Sequence, residues 1–232
     1  MVNLSLVIPA YNEEKILAAT AQKYADYFSM QKTDYEIILV PNNCTDNTPQ
    51  VAESLAKKNP RIRTITIPNY VGKGGAVKKG FENAKGNLIG FVDADNSVSP
   101  EEFGKLITAS KQHKVIIASR AMPDSIIPVN QSPQRKLLGT AFRYLVNGLF
   151  SLDVMDSQCG GKLFNAAVLK KVLPELKNNG WEFDVELLWK IKRACIPIHE
   201  IGIIWNDSGA SKVGLLDPLK MFLGIVQMRL QG

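Results

Sequence analysis

Apolar residues recur along this chain in two rhythms. Short runs at 4–8, 35–40, 61–67, 87–92 and 115–118 alternate with longer stretches at 13–30, 46–58, 72–84 and 100–112, whose apolar positions share one helical face. The first rhythm fits strands buried on both faces, the second amphipathic helices. Strict alternation of the two predicts an α/β fold: right-handed βαβ units around a Rossmann-like, mostly parallel sheet flanked by helices. After residue 120 the rhythm changes. Residues 121–133 hold three prolines and few strand signals and read as a long, mobile loop; 134–150 and 185–194 read as helices, 197–204 as a strand, and 216–230 as a final amphipathic helix. No repeat, low-complexity tract or boundary signal divides the chain, so it reads as one domain.

In open parallel sheets, ligands collect beyond the carboxyl ends of the strands. Polar segments stand at those places: Pro9-Ala10-Tyr11-Asn12-Glu13, Pro41-Asn42-Asn43-Cys44-Thr45-Asp46, Asp93-Ala94-Asp95-Asn96 and Ser119-Arg120. Together they predict four polar loops on one rim. Asp93 and Asp95 end an apolar run, and in extended backbone residues two apart point the same way, so both carboxylates would face one hard cation, Mg²⁺ or Mn²⁺. The alternative is loop turning and capping before the helix at 100–112.

Gly72-Lys73-Gly74-Gly75-Ala76 opens a helix, either as an anion cradle with a lysine or as a tight turn with close packing. It is neither a P-loop nor the dinucleotide glycine pattern, which argues against an ATPase or a Rossmann dehydrogenase. Arg120, Arg135 and Lys136 flank the proline-containing loop, as a phosphate site or a solvated basic face. Trp181-Glu182-Phe183-Asp184-Val185-Glu186 puts carboxylates at a helix start, for chemistry or to complement the helix dipole. Trp205 reads as core.

Composition narrows the classes. Of 232 residues, 45% are hydrophobic and 22% charged, which excludes a disordered tail, a collagen-like fibre and a disulfide mini-protein. No apolar stretch approaches a membrane-spanning helix, and the start lacks signal-peptide features, so a cytosolic location is expected. Cys44, Cys159 and Cys195, with His113 and His199, are too scattered for a disulfide framework or a zinc site. The net charge of +6 suits a phosphate-rich ligand or an anionic membrane surface. No basic run with interleaved aromatics points to nucleic acid.

Taken together the motifs resemble glycosyltransferase family 2, the GT-A fold enzymes, from residue 6 to about 212, and within it the dolichyl-phosphate β-glucosyltransferase group. The resemblance rests on Val7-Ile8-Pro9-Ala10-Tyr11-Asn12-Glu13-Glu14, Asp93-Ala94-Asp95, Gly72-Lys73-Gly74-Gly75-Ala76-Val77, Asp156-Ser157-Gln158-Cys159-Gly160 with Lys162-Leu163-Phe164, and Trp181-Glu182-Phe183-Asp184-Val185-Glu186-Leu187-Leu188. Ile196-Pro197-Ile198, Trp205 and Ser211-Lys212 complete it.

The resemblance implies one GT-A domain over 1–232, with a nucleotide-binding half at 1–120 and an acceptor half at 121–232. It implies transfer of glucose from UDP-glucose to a polyisoprenyl phosphate, with inversion and with Mg²⁺ or Mn²⁺. Pro9, Ala10, Tyr11 and Glu13 would hold the uridine. Lys73, Asp93 and Ala94 would complete the nucleotide pocket, with Asp95 as main metal ligand beside Asp93. Arg120 and Arg135 match acceptor-phosphate positions, and Asp156, Gln158 and Asp184 lie at donor-sugar positions. An ionised phosphate acceptor needs no strong general base.

Two departures stand out. Asn42 replaces an acidic residue and would accept from uracil N3–H, and Gly161 replaces a bulky aromatic, which would enlarge the sugar pocket. The sequence lacks the N-terminal membrane helix of eukaryotic members, so peripheral contact with the cytoplasmic membrane face is expected at 216–230 through Leu219, Phe222, Leu223 and Val226, unless that face packs on the core. Rival readings are a GDP-mannose-dependent mannose synthase, a transferase acting on a glycan hydroxyl with Asp184 as base, and a non-catalytic sugar-nucleotide-binding protein.

Overall fold

The computed structural model describes residues 2–128, 133–206 and 217–231, with side chains from 139 in the second segment and over 221–230 in the third. In chain order the elements are β1 (Leu4–Ala10), α1 (Leu17–Met30), β2 (Tyr35–Pro41), α2 (Thr48–Lys58), β3 (Ile62–Thr64), α3 (Gly72–Glu82), β4 (Leu88–Val92), α4 (Pro100–Ala109), β5 (Val115–Ser119), α5 (Pro133–Phe150), β6 (Gly161–Asn165), α6 (Ala166–Val172), α7 (Phe183–Arg193), β7 (His199–Gly202) and α8 (Asp217–Gln231). The strands form one sheet in the order β3-β2-β1-β4-β6-β5-β7.

Every residue of β1 is buried, because helices cover both faces of the sheet. Leu4, Leu6 and Ile8 pack on Tyr24 and Phe28 of α1 and Phe103 and Leu106 of α4. Val7, between them in the pleat, joins Val77 and Phe81 of α3 and Phe183 and Leu187 of α7 on the other face. A third cluster unites Ile117 with Val146 and Phe150 of α5, Val185 and Leu188 of α7, and Ile225 and Met228 of α8. The period of two in one strand thus feeds two separate cores.

The α/β reading holds, with several local differences. The helix expected from residue 13 starts at Leu17, because Asn12 is left-handed (φ 53°) and the chain turns before the helix begins, with Leu17 N–H donating to the Glu13 carbonyl. The strand expected over 61–67 shrinks to Ile62–Thr64, and that over 197–204 to His199–Gly202. Residues 121–128 lie along the sheet edge, where Ile126 bridges Ile204 and accepts the Trp205 N–H. The mobility expected of the rest of that loop concerns 129–132, outside the described residues.

The larger addition is β6. It runs antiparallel between β4 and β5, so those two parallel strands are not neighbours. Its reversed direction brings the preceding loop, residues 151–160, to the same rim as the carboxyl ends of β1, β2, β4 and β5. Periodicity missed β6 because Lys162 interrupts a short apolar run already preceded by Gly160-Gly161.

Candidate active site

Strand β4 ends at Val92, and Asp93, Ala94 and Asp95 lie beyond it, the last two on a turn that closes through left-handed Asn96 (φ 57°). The extended geometry expected for the two carboxylates is therefore absent; a turn presents them instead. Asp95 Oδ1 accepts the Ser97 N–H at 2.9 Å. The buried Asn96 Oδ1 and Ser97 Oγ find no hydrogen-bond partner among the described residues. A side chain at Gly160 would place Cβ 2.1 Å from Asp93 Oδ2, so only glycine lets the rim loop cross that carboxylate. The donor set is all hard oxygen, which fits Mg²⁺ or Mn²⁺. No group of three or more His, Cys, Asp or Glu gathers among the described residues, so waters and ligand phosphates would complete such a shell.

Lys73, in the first turn of α3, places its ammonium 2.6 Å from Asp93 Oδ1, over the rings of Trp181 (5.3 Å) and Phe91 (5.8 Å). Burial alone would pull its pKa down; the carboxylates of Asp93, Asp184 and Asp95 hold it above the usual lysine value. The glycines around it serve packing. Gly72 has φ +72°, and a Cβ there would sit 2.2 Å from the Asn179 carbonyl oxygen; one at Gly74 would sit 2.4 Å from Phe183 Cβ. Gly75 N–H is taken by that same Asn179 carbonyl at 3.2 Å. The close packing expected of this loop is present, against 179–183.

Gly72→Ala combines a left-handed backbone with overpacking and is expected to cost about 2–4 kcal/mol while displacing Lys73. Denaturant unfolding together with UDP titration checks both effects. Unchanged stability would show that the 179–180 segment yields at no cost.

Asn42, only 4% exposed, accepts the Val71 N–H at 3.2 Å and donates to the Gly72 carbonyl at 3.1 Å. Its amide fastens the entry to α3. Gly161 is corrected: Val98 and Ala118 lie 3.1–3.2 Å from where its Cβ would stand, so its small size opens no sugar pocket.

Pro9 and Ala10 are the last residues of β1, buried and paired with Val40 and Pro41. Tyr11 follows with 45% of its surface exposed on the rim. Asn12 Oδ1 accepts the Thr45 N–H at 2.8 Å, and Glu13 N–H donates to Thr48 Oγ1 at 2.7 Å. These bonds brace the loops after β1 and β2 against each other.

On the other side of the rim, Arg120 pairs with Asp156. Its Nε and backbone N–H both donate to Oδ2, at 2.6 and 3.0 Å, and its Nη2 to Oδ1 at 2.9 Å. The guanidinium lies 5.4 Å above the buried Trp205 ring, so that tryptophan is both core and platform. Burial would raise the Asp156 pKa, but Arg120 keeps it below the ordinary carboxylate value. Gln158 donates its backbone N–H to Asp156 Oδ1 at 3.2 Å. The side chain of Arg135 lies outside the described residues.

Asp184, in the first turn of α7, is bound to Lys162, whose Nζ donates to Asp184 Oδ1 and to the Cys159 carbonyl, both at 2.7 Å. Lys162 is 0% exposed and lies over the Phe91 ring. Neither Lys162 nor Glu200, whose carboxylate holds the 155–156 backbone, was singled out for a role from the sequence. A lone lysine inside an apolar strand was the available signal for the first, since a buried ammonium demands a carboxylate.

A parallel-sheet rim with an acidic strand end, a lysine set against it and a fixed arginine opposite is the layout of a GT-A glycosyltransferase. The family model for glycosyl transferase family 2 matches residues 5–173; the chain belongs to that family and is a glycosyltransferase. It is 34% identical to dolichyl-phosphate β-glucosyltransferase of Saccharomyces cerevisiae, over 98% of this chain and 74% of that protein. With the enzyme of the same name from Homo sapiens the identity is 33%, over 90% of this chain and 69% of the relative. The fold matches glucosyl-3-phosphoglycerate synthase from Mycobacterium tuberculosis, solved with Mn²⁺, UDP and phosphoglyceric acid, at a TM-score of 0.73 and 19% identity, covering 99% of this chain and 78% of that one.

Proposed function

We propose that this glycosyltransferase moves glucose from UDP-glucose to a polyisoprenyl phosphate, with inversion at the anomeric carbon. The observation that supports a phosphate acceptor over a glycan hydroxyl is the Lys162–Asp184 pair. A carboxylate already neutralised by a buried ammonium is a poor base for a hydroxyl, whereas a phosphate monoester is largely ionised near pH 7, with a second pKa of about 6.

In this reading 1–120 is the nucleotide-binding half and 121–232 the acceptor half, with the sugar and the acceptor phosphate meeting where the two halves join. Tyr11 stacks on the base, with Pro9, Ala10 and Glu13 around the uridine, and Lys73 and Ala94 lie along the diphosphate. Asp93 and Asp95 would hold Mg²⁺ or Mn²⁺, which when bound neutralises charge on the leaving diphosphate. Gln158 and Asp184 face the sugar. Arg120, aimed by Asp156, and Arg135 grip the acceptor phosphate, so that its oxygen approaches the anomeric carbon opposite the leaving group. The work of the site is alignment of two anions.

No helix among the described residues is long and apolar enough to cross a membrane. Helix α8 buries Ile225 and Met228 in the core and exposes Phe222 (43%) and Leu223 (58%), while the side chain of Leu219 lies outside the described residues. We assign the exposed face to peripheral contact with the cytoplasmic leaflet, where a lipid acceptor would lie.

The test is incubation with Mg²⁺ or Mn²⁺, a polyprenyl phosphate and, separately, labelled UDP-glucose, UDP-N-acetylglucosamine and GDP-mannose. Label entering the lipid phase from UDP-glucose alone is the expected result. Transfer from GDP-mannose would overturn the donor, and no lipid product from any donor would overturn the acceptor.

A further inference from the structure

The loop that carries Asp156 to the rim has no regular structure, and two of its early residues, Ser151 and Asp153, have left-handed backbone (φ 50° and 56°). Its first part is anchored locally. Leu152 and Val154 enter the α5–α7–α8 core, Asn147 Nδ2 donates to the Val154 carbonyl at 2.9 Å, and Lys192 reaches Ser151 and Asp153. The next two residues are held from far along the chain. Met155 N–H donates to Glu200 Oε2 at 2.7 Å and Asp156 N–H to Glu200 Oε1 at 3.0 Å, so one carboxylate closes on two consecutive backbone donors. Glu200 stands on β7, in register with Ile117 of β5, three residues before Arg120. Parallel partners share a face, which sets the Glu200 side chain on the same side as Ile117 and the third core.

We propose that Glu200 is a positioning residue for the acceptor side of the site. It fixes the backbone at 155–156, this fixes the direction of the Asp156 carboxylate, and Asp156 in turn locks Arg120 by three hydrogen bonds. The role rests on the reading of Arg120 as the group that grips the acceptor phosphate. Charge-assisted bonds to N–H groups are the strong ones, and a carboxylate supplies two acceptors where an amide supplies one.

Glu200→Gln keeps size and shape but loses one acceptor and turns an amino group towards an N–H. The expected result is an acceptor KM raised about tenfold, with the UDP-glucose KM unchanged. In an Arg120→Ala background the same substitution should change the acceptor KM no further, since both act through one group. A merely structural role would lower the melting temperature and the active fraction while leaving the acceptor KM alone, and that outcome, or additive effects in the double variant, overturns the proposal.

Amide hydrogen exchange over 152–158 and phenylglyoxal modification of Arg120 give a readout that needs no acceptor. Faster exchange at Met155 and Asp156 with faster Arg120 modification in Glu200→Gln supports the positioning role even if the wild-type protein transfers nothing to polyprenyl phosphate. Unchanged exchange and modification overturn it.

Discussion

Lys162→Met is expected to destabilise the protein by about 3–5 kcal/mol, the range for breaking one side of a buried ion pair. The substitution nearly conserves volume, so the loss is electrostatic. Asp184 would remain in the interior without its ammonium, and the Cys159 carbonyl would lose its donor. The structure offers Asp184 no water to replace that partner, since both side chains are almost fully enclosed. The double variant Lys162→Met/Asp184→Leu separates folding from chemistry. Two apolar residues of similar volume should return most of the stability, because buried pairs often contribute little over well-packed hydrophobic replacements. Transfer activity should not return if Asp184 faces the donor. Denaturant unfolding of the single variant, with a loss below about 1 kcal/mol, would show that the pair behaves as a solvated one. Recovery of full activity in the double variant would remove Asp184 from the chemistry.

Asp95→Ala is expected to lower metal-dependent transfer by about a thousandfold or more, since the charge on the leaving diphosphate would lose roughly 4 kcal/mol of stabilisation at 1.36 kcal/mol per factor of ten. The fold should tolerate the change. Asp95 lies on a turn beyond β4, where its Oδ1 accepts the Ser97 N–H two residues on. Mn²⁺ binding in the presence of UDP, followed by calorimetry, should weaken in parallel while the melting temperature moves little. Full Mn²⁺-stimulated transfer in Asp95→Ala would sink the assignment. Asp93→Ala is a less clean experiment, because it also strips Lys73 of its partner at 2.6 Å.

The two variants also illustrate which parts of the site were open to sequence reasoning. Asp93 and Asp95 were visible because the run Leu88–Val92 announces a buried strand and its polar continuation must emerge at a rim. Tyr11 and Arg120 were found by the same argument. Asn42 was placed on the rim, but its hold on the entry to α3 was not legible, since nothing local says that Val71 and Gly72 would engage its amide. Gly161 was misread because Val98 and Ala118, which fill its space, come from other elements. The glycines at 72–75 had two readings, and the partners in the packing one, Asn179 and Phe183, lie about a hundred positions away.

By itself the sequence determined the alternation of strands and helices, the burial of the sheet on both faces and the places where polar loops leave it. These follow from hydrophobic period and from backbone propensity, which act between residues a few positions apart. Tertiary structure alone decided that β6 runs backwards between β4 and β5, that Lys162 meets Asp184, that Asp156 locks Arg120, and that Glu200 holds the loop between them. Those contacts join residues 22 to 44 positions apart. Their physical reason is pairing: a charge or N–H group taken from water must find a partner, and which partner it finds depends on how the whole sheet is ordered.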